Sequence, residues 1–83
     1  MPEKHMLKLL ELAESWAMRA GTSLTWRAQW TPATFVAGRR PSELALLSAA
    51  AELHDAVVAM PGGETLVARL NAEAALRAGG AAQ

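Results

Sequence analysis

The side chains able to do acid–base, nucleophilic or metal chemistry are few in this chain. Its histidines are His5 and His54, its one aspartate is Asp55, and it has no cysteine. A serine nucleophile needs a base and an orienting acid that converge in space. Sequence neighbours on a helix point about 100° apart, so His54 and Asp55 are expected to diverge rather than form a dyad. No histidine or carboxylate stands four residues from His54, the spacing that aims two ligands at one ion. Glu11 and Glu14 are three apart and read as a solvated helix face. Gly62, Gly63, Glu64 and Thr65 could present amides to an anion. With no following lysine and no preceding strand, they read instead as the punctuation before a helix. The sequence therefore predicts no catalytic residue, no metal ligand and no cofactor.

A second set of residues is suited to recognition. Between Ser15 and Arg40 stand Arg19, Arg27, Arg39 and Arg40 and no acid, and all three tryptophans and the one phenylalanine fall between Trp16 and Phe35. Tryptophan and arginine are among the side chains most enriched at binding hot spots. Trp16, Trp26 and Phe35 suit the core of a chain short of bulky residues, whereas Trp30, beside Pro32, is harder to bury. Arg27 falls opposite Trp26 in an alternating segment, and Arg39 and Arg40 fall between elements, where charged side chains are seldom buried. Arg27, Trp30, Arg39 and Arg40 are the candidate partner-binding residues. Arginine on phosphate and aromatic rings on bases would also serve nucleic acid. Four arginines with no lysine nearby, in a chain of zero formal net charge, make that the weaker alternative.

The elements that must position these residues follow from periodicity. Met6 to Ala20 reads as a helix, with Leu9, Leu12, Ala13, Trp16 and Ala20 at three- and four-residue steps, Leu7, Leu10 and Ala17 beside them and Gly21 to stop it. From Ser23 the period changes to two: Leu24, Trp26, Ala28 and Trp30 alternate with Thr25, Arg27, Gln29 and Thr31, as in a strand. With Thr34 to Val36 as its mate, this predicts a hairpin turning near Pro32. A short helix capped by Thr31 with Pro32 at its first position is the rival. A second helix follows Pro41 and Ser42, with Ser42 as the expected cap, Leu44, Leu47, Ala51, His54 or Asp55, and Val58 on one stripe and Leu46, Ala50, Leu53 and Val57 on the next. Pro61 to Gly63 end it, and a third helix runs from about Glu64 to Ala78, leaving residues 79–83 to fray.

Composition sets the class. At 83 residues the chain is expected to be a single domain, 1–83. Hydrophobic residues are 52 %, but 19 of them are alanine and 12 are leucine, with no isoleucine and four valines, which excludes an all-β fold. The expectation is an α+β domain ordered helix, β-hairpin, helix, helix, with an all-α three- or four-helix bundle as the alternative. The first 40 residues carry six basic against three acidic side chains and the remainder two against five. Such an asymmetry would let one copy pair with another, so a homodimer is considered beside a protein partner. No export signal and no stretch approaching the ~20 apolar residues of a membrane span is present, so a cytoplasmic protein making no membrane contact is expected.

Residues 41–60, PSELALLSAAAELHDAVVAM, resemble the helix of pattern ARLIAAAPELLEALEAL found near the carboxyl end of many small bacteriophage and prophage accessory proteins. The match covers about a quarter of the chain, with Ala51 where the pattern has proline. The resemblance implies a phage accessory protein that binds a host target, of the kind that inhibits CRISPR interference, restriction or transcription. It carries over no functional residue, because the pattern is one of core packing. Taken with the Arg- and Trp-rich middle, it gives a non-enzymatic binding protein acting on a host macromolecular complex by protein–protein contact.

Overall fold

The computed structural model describes residues 2–81, with side chains over 3–77. Helix α1 spans Pro2–Arg19, a 3-10 helix Leu24–Gln29, α2 Pro32–Val36, α3 Pro41–Ala59 and α4 Gly63–Ala81. No strand occurs among the described residues, so the expected α+β fold with a hairpin is corrected to an all-helical one. Residues 79–81, expected to fray, continue the backbone of α4, and 82–83 lie outside the described residues.

The hairpin fails for identifiable reasons. The Ser23 hydroxyl accepts a hydrogen bond from the Thr25 amide at 3.1 Å, a helix cap. From there the burial pattern has a period of three: Leu24 is buried, Arg27 and Trp30 are half-buried, and the residues between them are exposed. That is the face of a helix with three residues per turn. Trp26, which alternation puts beside Trp30, is turned outward. The would-be second strand is capped as a helix: Thr31 Oγ1 accepts from the Thr34 amide at 3.2 Å, Thr34 Oγ1 accepts from the Thr31 amide at 2.8 Å, and Pro32 occupies the first turn.

Helix α1 ends in a Schellman turn. Thr22 N–H donates to the Ala17 carbonyl and Gly21 N–H to that of Met18, both at 3.0 Å, with Gly21 at φ +87°. The buried face of α1 is Met6, Leu10, Ala13, Ala17 and Ala20, and that of α3 is Leu47, Ala50, His54 and Val57. Both sets advance in alternating steps of three and four, the seam of an interlocked helix pair. Of the stripe expected on α1, Ala13 and Ala20 are buried and Leu9 and Trp16 half-buried, whereas Leu12 is 45 % exposed. Helix α3 begins after Arg40, not Ser42: the Arg40 amide donates to Glu43 Oε1 at 2.9 Å, and Ser42 is already inside the helix.

Two apolar clusters divide the seam. Ala13, Ala17, Ala20, Leu24, Leu47 and Ala50 form one, walled by Trp16, Trp30 and Phe35. Met6, Leu10, Val57 and Leu66 form the other. His54 is the buried polar side chain between them in the order of α3. The chain then turns by 119° at Met60–Gly62, so α4 meets the pair at its start and diverges from it. The molecule measures 36 × 35 × 18 Å, and its shortest dimension is less than two stacked helices.

Leu47, 1 % exposed, should lose about 2 to 5 kcal/mol of unfolding free energy on Leu47→Ala, read from urea denaturation. Gly63 gives an opposite sign from the usual glycine rule. A Cβ there would be placed onto the Val57 carbonyl, so Gly63→Ala should destabilise, where Gly→Ala at an unhindered helical site stabilises by about 0.4 to 1 kcal/mol.

Candidate partner-binding surface

The 3-10 helix is fixed to α1 by one side chain. Glu14 accepts the Ser23 hydroxyl at 2.7 Å and the Leu24 amide at 2.9 Å, so its carboxylate meets the positive end of the short helix. Read from sequence as half of a solvated pair with Glu11, Glu14 is the tether of the middle segment. Its partners lie nine and ten residues away, too far for a local pattern to reveal.

Next on this segment, Arg27 Nη2 donates to Asp55 Oδ2 at 2.9 Å, and its guanidinium lies 5.4 Å from the centre of the Trp30 ring. Asp55 Oδ1 in turn meets His54 Nδ1 at 3.1 Å. The expected divergence of His54 and Asp55 is thus corrected: the aspartate bends back to the imidazole beside it while holding Arg27. Partial burial pushes the Asp55 carboxyl up, but the hydrogen bonds from His54 and Arg27 outweigh it and hold the group below its ordinary value. An ionised carboxylate only accepts, so His54 Nδ1 carries the proton. The described contacts complete no nucleophile–base relay with it. Ser15, which lines the same groove as His54, donates its hydroxyl to the Leu12 carbonyl at 2.6 Å.

Trp30 packs on Phe35 with ring centres 5.8 Å apart and planes tilted by 59°. Arg39 closes the lobe: its Nη1 donates to the Thr34 and Phe35 carbonyls at 2.9 and 3.5 Å, a cation on the negative end of α2. The buried Nε atoms of Arg27 and Arg39 have no partner. Arg40 extends into solvent, its Nε 3.7 Å from Glu43 Oε1. The Arg40 amide bond, ahead of the charges of Arg40 and Arg39, holds the Glu43 carboxyl below its ordinary value.

The structure thus places three of the four candidates in structural roles: Arg27 on Asp55, Trp30 against the core, Arg39 on α2. Arg40 alone of the four is fully in solvent. The residue that sequence reasoning assigned inward and the structure turns outward is Trp26, 55 % exposed. A period of three through Leu24, Arg27 and Trp30 was the signal for it. Trp26 joins Trp30, Phe35, Arg39 and Gln29 around a cleft of about 280 Å³. A larger groove, about 400 Å³, lies between α1 and α4. Among the described residues no group of three His, Cys, Asp or Glu is placed to hold a metal ion, and no single helix is long and apolar enough to cross a membrane. No family model, curated protein or solved structure matches the chain.

Because Asp55 titrates below its ordinary 3.8 when folded, its contribution to stability is complete above about pH 5 and is lost as pH falls through the lowered value. Asp55→Asn should therefore be less stable than wild type at neutral pH, and the gap should narrow toward pH 3 in paired urea titrations. A gap of constant size across that range would place the effect outside the Asp55 charge.

Proposed function

We propose that this chain is a non-enzymatic binding protein that recognises a protein partner through the lobe built by the 3-10 helix and α2. The observation that carries the reading is the cleft around Trp26: an exposed indole beside two half-buried aromatic rings and an arginine, on a lobe braced by Glu14, Asp55 and α2. A large apolar side chain at the centre of a rigid surface, with a polar rim, has the make-up of a binding hot spot. Arg39 lines the cleft with its guanidinium turned to the α2 carbonyls, and Gln29 and Thr34 complete a polar rim, so the complementary partner segment joins an apolar anchor to hydrogen-bonding groups. The resemblance of residues 41–60 to phage accessory proteins supports a host complex as the target.

Nucleic acid is less favoured by the same geometry. Arg27 is neutralised by Asp55, Arg39 is directed at carbonyls and Arg40 faces Glu43, which leaves little field for a phosphate backbone.

The test is retention from bacterial lysate on immobilised wild type against Trp26→Ala, followed by titration of the retained protein. Trp26→Ala should weaken binding by roughly 30-fold or more, as loss of a hot-spot side chain does, while the melting temperature stays within a few degrees of wild type. Equal binding by Trp26→Ala would remove the cleft as the contact surface. Affinity that collapses between about 50 and 200 mM salt, with nucleic acid retained, would favour the alternative.

A further inference from the structure

We propose that the groove between α1 and α4 is filled by α4 of a second copy, making a two-fold dimer in which each chain inserts Leu76 into the other. The accessible surface is 5635 Å² for 8.8 kDa. A compact monomer of that mass exposes roughly 4,800 Å². The excess, about 850 Å², is close to the ~800 Å² that each partner contributes to a standard interface.

Apolar surface is exposed where α4 leaves the bundle. Leu66, early in the helix, is buried with Met6, Leu10 and Val57, whereas Leu76, ten residues on, is 76 % exposed, the most exposed large apolar side chain among the described residues. A groove of about 400 Å³ runs between α1 and α4 with Leu7, Leu10, Met18, Val67 and Leu70 among its walls; Leu76 is not a wall residue, so its side chain is free to enter the groove of another chain. Met18, on the opposite wall, is itself 66 % exposed. The volume admits a leucine and its helical neighbours from another chain.

Charge selects a second copy of this chain. Lys8 and Glu11, one turn apart on α1, present plus and minus, and Glu73 and Arg77, one turn apart on α4, present minus and plus. Among the described residues, the ion pairs Arg27–Asp55, Arg40–Glu43 and Arg69–Glu3 use none of the four. A two-fold contact pairs Glu73 with Lys8 and Arg77 with Glu11 of the other copy, and the reverse, around each inserted leucine.

Light scattering on the eluting full-length chain, loaded at about 100 µM, tests the proposal. Wild type should elute at twice 8.8 kDa. Leu76→Glu, at a position already in solvent, should elute as a monomer with an unchanged helical circular dichroism spectrum. Arg77→Glu should raise the dimer dissociation constant at least about tenfold, since like charges then face each other, and Glu11→Arg added to it should restore the dimer. A monomeric wild type overturns the proposal, as does a Leu76→Glu variant that remains dimeric. Failure of Glu11→Arg to rescue Arg77→Glu overturns the charge pairing and with it the orientation.

Discussion

The close contact between α1 and α3 is the constraint on which the rest of this molecule depends. A chain in which 19 hydrophobic residues are alanine has little bulk with which to fill a core. It gains close packing instead by bringing two helices together along Ala13, Ala17, Ala20 and Ala50, where small side chains let the backbones approach. Leu47 and Val57 are the largest side chains fully enclosed along the seam, and the aromatic rings stand at its margin. Trp16, Trp30 and Phe35 wall one end, and Met6, Leu10 and Leu66 fill the other. A seam of this kind makes a thin molecule, 18 Å in its short direction, and gives every helix a face toward solvent.

Asp55 links that seam to the surface lobe. Its carboxylate joins His54, at the centre of the seam, to Arg27 on the 3-10 helix, and Arg27 stacks over Trp30. The opposite charges of the two halves of the sequence are joined at two points, where Arg27 meets Asp55 and Arg40 meets Glu43. A basic, aromatic segment that looks available for binding in the sequence is consequently divided. One part braces the lobe, and Trp26 faces outward at the cleft.

The long helices were legible because their signals are local. Apolar steps of three and four, glycine after α1 and the Pro–Gly–Gly break before α4 mark them without reference to anything distant. The middle segment was not legible, since alternation over seven residues fits both a strand and a 3-10 turn once every third position is buried. Threonine with a threonine three residues on was the cap that decided for helix at Thr31. The site residues divide in the same way. Arg40 is exposed because its place in the chain is exposed, Arg27 is held by Asp55, 28 residues on, which a one-dimensional reading does not bring near it, and Arg39 is held by carbonyls four and five residues back that face it only because Pro32–Val36 is a helix rather than a strand.

The sequence by itself determined the helical content of α1, α3 and α4, the size of the core and the absence of cysteine chemistry, because these follow from composition, periodicity and capping over short spans. Only the tertiary structure decided which tryptophan faces solvent, which column of α1 is buried, and that His54 and Asp55 meet. Each of those depends on where a second element lies: α3 close against α1 buries Met6, Leu10, Ala13, Ala17 and Ala20 and leaves Leu12 outside, Arg27 of the 3-10 helix holds Asp55, and the Glu14 tether across ten residues fixes the start of a segment in which Trp30 packs against the core and Trp26 faces out.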